Sequence, residues 1–78
     1  MKLELFKKDT CPFCHRVMYY IERSGRTDVE YLDIIEVPEN LERLVREGGM
    51  NQVPCLFIDG KPLYESSDII QWLEDNPQ

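Results

Sequence analysis

Turn and helix-stop signals divide this chain into seven short pieces, and their order constrains the fold more than any other feature. Leu3-Glu4-Leu5-Phe6 alternates briefly and reads as a strand. Thr10 is placed to cap a helix opening with Pro12, a residue favoured in the first turn because no N–H is needed there. Cys14, Val17, Met18 and Ile21 recur at i, i+3, i+4 and i+7, so one stripe of that helix faces a core, and Ser24-Gly25 ends it. Val29 to Ile34 forms a second strand. Pro38 opens a second helix, with Glu39 and Glu42 near the positive end of its dipole, Leu41, Leu44 and Val45 on its apolar face, and Gly48-Gly49 as its stop.

Cys55-Leu56-Phe57-Ile58 is an uninterrupted apolar run, as expected of a strand covered on both faces. Asp59-Gly60 signals a two-residue hairpin into Lys61-Pro62-Leu63-Tyr64, and Pro62 sends that strand to a sheet edge. Ser66 or Ser67 is placed to cap a last helix whose buried stripe is Ile69, Ile70 and Leu73, and Asn76-Pro77 ends it. The order is βαβαββα. The first β-α-β unit requires a right-handed crossover between parallel strands, and the hairpin makes the last two strands antiparallel. An α/β fold follows: one four-stranded mixed sheet with helices on both faces, as a single domain over residues 1–78.

Seventy-eight residues support one core, with roughly 60–70% of the chain's surface buried. Hydrophobic residues at 42% suffice for it. A net charge of −6 opposes nucleic-acid binding, which needs a basic face to displace counterions from phosphates, and gives no attraction to anionic membranes. No apolar run approaches the roughly 20 residues of a membrane span, and Met1-Lys2-Leu3-Glu4 starts no signal peptide. The cytoplasm is the expected address.

Two of the three cysteines, Cys11 and Cys14, sit three apart. A bond between them closes too short a loop to staple a fold, so in a reducing compartment the pair signals metal or redox chemistry. Cys11-Pro12-Phe13-Cys14 falls where the first strand feeds the first helix. There the free N–H groups and the dipole favour a thiolate at Cys11, with Lys8 nearby in sequence to add to the field. Cys14, one turn on and more buried, can attack a mixed disulfide formed on Cys11. Zinc needs about four ligands, which Cys11, Cys14 and His15 do not supply without distant Cys55. Covalent haem, suggested by Cys11-Pro12-Phe13-Cys14-His15, fits poorly with a mixed α/β order. Two packing cysteines are the bland alternative.

Lys8-Asp9-Thr10-Cys11-Pro12-Phe13-Cys14-His15-Arg16, Gln52-Val53-Pro54 and Glu65-Ser66-Ser67-Asp68-Ile69-Ile70 together resemble a glutaredoxin along essentially the whole chain. The resemblance implies the minimal thioredoxin fold, with the second strand at one edge and the hairpin strand at the other. It also implies a cis Val53-Pro54 bond, with the backbone of Val53 pairing with the cysteine of glutathione. Lys8, Phe13, Gln52, Val53, Pro54, Glu65 and Ser66 are the implied glutathione-binding set, around catalytic Cys11 and Cys14. Phe13 stands where the family often has Tyr. Glu65-Ser66 resembles instead the N-terminal domain of glutathione transferases and transferase-like glutaredoxins, where the pair receives the γ-glutamyl end. A helix start suits that carboxylate, and Glu65 suits the ammonium.

The expectation is a monomeric, glutathione-dependent thiol–disulfide oxidoreductase acting on disulfide-bonded or glutathionylated proteins, with glutathione as co-substrate and no metal. Two alternatives remain at this level. One is a glutathione-bridged iron–sulfur carrier using Cys11 and a second monomer, against which Pro12 argues. The other is a non-enzymatic module related to a transferase N-terminal domain. Cys55 reads as a buried small residue, His15 as surface and Trp72 as packing. Arg43 and Arg46 either solvate their helix or reach the glycine carboxylate of glutathione. Lys7, Lys8 and Arg16 are expected to make the surroundings of Cys11 locally positive.

Overall fold

The computed structural model describes residues 1–78. In chain order the elements are β1 (Leu3–Lys7), α1 (Pro12–Ser24), β2 (Val29–Asp33), α2 (Pro38–Arg43), β3 (Cys55–Ile58), β4 (Lys61–Tyr64) and α3 (Ser66–Asp75), with α2 continuing into a π-helical turn over Leu44–Gly48. The sheet order is β2-β1-β3-β4. β1 runs parallel to β2 and antiparallel to β3, and β3 antiparallel to β4. The strands at the two edges are those the resemblance implies, and Pro62 lies in one of them. Asp59 and Gly60 both take positive φ, 49° and 86°, the signature of a type I′ turn whose twist matches the strands it joins.

Alternation along β1 and β3 sends side chains to two separate cores. Leu3, Leu5 and Leu56 meet Val17 and Ile21 of α1 and Ile69 and Leu73 of α3 on one face. Phe6, Cys55 and Phe57 meet Ile34 and Leu44 on the other. The first core is wholly apolar. The second contains a charge: Glu4, 3% exposed, receives a bidentate fork from Arg43, with Nη1–Oε2 at 2.7 Å and Nη2–Oε1 at 2.8 Å. The Arg43 guanidinium also lies over the Phe6 and Phe57 rings, at 5.6 and 5.4 Å. Its hydrogen bonds hold the Glu4 carboxyl below the usual range against the opposing effect of burial. Arg43 is thus committed to the sheet rather than to solvent, while Arg46 pairs with Glu47 at the surface.

Three sequence expectations need correction. The side chain that caps α1 belongs to Cys11, not Thr10. Neither Ser66 nor Ser67 caps α3: Glu65 occupies the cap position and makes no side-chain cap bond. Val45 is 45% exposed although Leu44 is buried, because the chain leaves the α-helical period for a π turn there. Of the helices, none is long and apolar enough to cross a membrane.

Candidate active site

Two helix starts and one loop converge beside β1. At the start of α1, Cys11 has extended backbone angles and its Sγ accepts the N–H of Cys14 at 3.2 Å. The nucleophile candidate is therefore its own helix's cap. Pro12 follows it at the first helical position, where no N–H is needed. On its other side the Cys11 thiol points to the carbonyl oxygen of Val53, at 3.8 Å. Cys11 is 7% exposed and Cys14 fully buried. Burial, and then the hydrogen bond to Cys11, push the Cys14 thiol up to about 12. The pair thus splits into a sulfur nearer the surface that accepts a helix-start N–H and one sequestered in the core. Burial likewise pushes Cys55 up to about 11, within the core under α2.

At the start of α3, Glu65 takes φ 71° and ψ 121°, a conformation a side chain adopts at a cost of order 1–3 kcal/mol. Its side chain is held from across the cleft, where Gln52 Nε2 donates to Glu65 Oε1 at 3.2 Å. Ser66 is buried at the first helical position. The loop between the π turn and β3 carries Gln52 and a cis Val53-Pro54 bond.

A cleft of about 410 Å³ lies between the helix starts, lined by Phe13 and Arg16, by Gln52, Val53 and Pro54, and by Glu65, Ser66 and Ser67. Gln52 and Val53 also border a neighbouring depression of about 390 Å³, into which Lys8, Thr10 and Cys11 open. Six of the sequence-derived site residues (Phe13, Gln52, Val53, Pro54, Glu65 and Ser66) therefore share one cleft. Cys11 and Lys8 lie across the Val53 ridge, and Cys14 lies beneath, in the core. Ser67 and Arg16 complete the lining beyond the sequence-derived set. Arg16 stands one turn from exposed Phe13 on the same helix, a spacing that puts both on one face.

The expected positive cluster is smaller than the sequence suggests. Lys7 is held by Asp9 at 2.8 Å and Asp33 at 3.2 Å. Asp33 in turn accepts the N–H groups of Ile35 and Glu36, which lower its pKa together with Lys7. Lys8 and Arg16 are in no ion pair and carry the local positive charge. His15 is exposed, as read from the sequence, and Trp72 is half-buried against the first core.

The sequence pattern of the glutathione S-transferase N-terminal domain matches residues 10–76. Glutaredoxin 3 of Escherichia coli is 28% identical over 67 residues, which make up 86% of this chain and 80% of that protein. A probable glutaredoxin of Synechocystis is 29% identical over 68 residues, 87% of this chain and 77% of the other. Among solved structures, an Omega 3C glutathione transferase from Trametes versicolor superposes with TM-score 0.80 at 24% identity, covering 96% of this chain but 33% of the transferase. Poplar glutaredoxin C1 superposes with TM-score 0.72 at 22% identity over 95% of this chain and 75% of that one. The fold is thioredoxin-like, and the glutaredoxin relatives support a redox role for it.

Proposed function

We propose that this chain, which belongs to the glutathione S-transferase N-terminal-domain family, acts as a glutathione-dependent thiol–disulfide oxidoreductase of the glutaredoxin type. The observation that carries the reading is the state of Cys11: a helix-capping sulfur that accepts the Cys14 N–H at 3.2 Å and stands against the Val53 backbone. The Cys11 thiolate attacks one sulfur of a glutathionylated protein. A new S–S bond forms to the glutathione sulfur, the old one breaks, and the protein thiolate leaves and takes up a proton. The thiolate of a second glutathione then attacks that mixed disulfide, releasing oxidised glutathione and restoring Cys11. With a disulfide-bonded protein, Cys14 gives up its proton and attacks the mixed disulfide, leaving a Cys11–Cys14 disulfide for glutathione to reduce.

The remaining residues bind rather than react. Ser66 and the free N–H groups at the start of α3 receive the γ-glutamyl carboxylate, and Glu65 receives the ammonium. Val53 offers an N–H that no protein acceptor takes, suited to the peptide backbone of glutathione beside its cysteine. Phe13 supplies an apolar wall, Gln52 holds Glu65, and Lys8 and Arg16 attract an anionic peptide. No metal takes part. The chain works as a cytoplasmic monomer whose partners are glutathione and oxidised proteins.

The test is an assay of glutathione removal from a mixed disulfide. Cys14→Ser keeps the activity within a few-fold and Cys11→Ser loses it by at least roughly 100-fold, the cost expected for removing a nucleophile. Equal activity in the two variants ends the proposal. Running the same assay with glutathione and with a thioredoxin reductase, in parallel, identifies the reductant.

A further inference from the structure

The cleft wall made by Gln52 and Val53 belongs to a loop with no regular structure of its own, yet it must stand at a defined distance from Cys11. One strap on the start of that loop is Tyr64. The Tyr64 hydroxyl donates to the carbonyl of Met50 at 3.3 Å, joining the end of β4 to the start of that loop. The hydroxyl occupies a slot that exists only because residue 48 is glycine. A β-carbon there would stand 2.6 Å from the Tyr64 oxygen and 3.3 Å from two carbons of the Phe57 ring. Gly48 is the last residue of the π turn, so the turn delivers the slot to the place where the hydroxyl arrives.

A second tie runs beside the first: Gln52 donates to Glu65, the residue after Tyr64. Met50 and Gln52 are two apart on one strand of chain, and Tyr64 and Glu65 are adjacent on the other. The two bonds form a clasp between the loop and the start of α3. Glu65 sits at positive φ within this clasp, held where a side chain pays for its backbone conformation.

We infer that Tyr64 is a positioning residue: its hydroxyl, lodged in the Gly48 slot, sets where Gln52 and Val53 stand relative to Cys11 and Glu65. This rests on the oxidoreductase reading for its consequence in turnover, though not for the clasp itself. Tyr64 touches no reacting atom, so its loss loosens binding of glutathione without slowing the chemical step.

Tyr64→Phe removes the bond and keeps the ring. The expected result is a KM for glutathione raised about 3- to 10-fold, the range for one hydrogen bond, with kcat within twofold and a melting temperature lowered by no more than about 8 °C. In the protein without glutathione, the Gln52 side-chain amide and Val53 methyl resonances shift. Gly48→Ala, which expels the hydroxyl by filling its slot, moves the same resonances in a variant that still has Tyr64. Unmoved Gln52 and Val53 resonances in Tyr64→Phe overturn the inference, as does a loss of kcat and melting temperature together. Should the wild-type chain turn over no glutathione, the functional reading fails and the resonances alone decide the clasp.

Discussion

The two helix starts that face each other across the cleft are built on opposite plans. α1 begins with a side chain that caps it: the Cys11 sulfur accepts the Cys14 N–H, so the candidate nucleophile is already committed to the helix. α3 begins with no such bond, on a residue at positive φ whose side chain is held from the far wall by Gln52. At α1 one first-turn N–H, that of Cys14, goes to the Cys11 sulfur. At α3 the cap residue's side chain takes none. Whether its cap residue satisfies a helix terminus decides what the terminus has left to offer, and the two starts of this small chain differ in that respect.

The largest effect separates the thiols at the first start. Brief treatment of the reduced protein with iodoacetamide at pH 7, read by mass spectrometry, labels Cys11 at least roughly 100-fold faster than Cys14 or Cys55. Burial pushes the Cys14 thiol well up from its ordinary value, which disfavours its thiolate at that pH, and it keeps the reagent out besides. Comparable labelling of Cys14 would erase the distinction on which the α1 plan depends. The second start responds at about a tenth of that scale. Ser66→Ala raises the KM for glutathione about 10-fold through one lost bond to a charged group, with kcat little changed. A fall in kcat at unchanged KM would mean that the α3 start serves the reaction and not the ligand. The smallest effect sharpens the first plan. Thr10→Ala shifts unfolding free energy by less than about 0.5 kcal/mol, since the cap bond belongs to the sulfur. A loss near the 1 kcal/mol typical of a removed cap, measured in urea, would reassign the cap to Thr10.

The two faces of the sheet repeat the lesson about local and distant information. Leu3, Leu5, Val17 and Ile21 were legible as core from period-2 and period-3.6 spacing, and Leu56 from its uninterrupted apolar run, all properties of the chain alone. Glu4 was not. In the sequence it is the polar step of an alternating strand, and only the arrival of Arg43 from α2 makes its burial tolerable. The same event withdraws Arg43 from any ligand, a role the spacing of α2 left open. Lys7 was misread for a similar reason. It precedes Lys8 and sits near Cys11 in the chain, yet Asp33, brought alongside by β1–β2 pairing, takes its charge.

At the site, the motifs named the residues and the fold decided their partition. Phe13, Gln52, Val53, Pro54, Glu65 and Ser66 meet in one cleft as their motifs implied, whereas Lys8 opens on the far side of Val53. Nothing in the local sequence distinguishes these cases, because which side of a ridge a residue faces depends on three segments at once. Arg16 is the converse: its register with Phe13 placed it on the cleft face, but only the position of α3 makes that face a wall.

By itself the sequence determined the order of elements, the hairpin at Asp59-Gly60, the edge position of the Pro62 strand and the pairing of Cys11 with a helix start. These follow from turn chemistry, side-chain periodicity and the missing N–H of proline, all of which act within a few residues. Tertiary structure alone decided which cations are free and that a side chain caps α1 but not α3. It also decided that Tyr64 finds its slot at Gly48. Those outcomes turn on desolvation and on hydrogen bonds between residues far apart in the chain, and a partner supplied by another element is invisible until the elements pack.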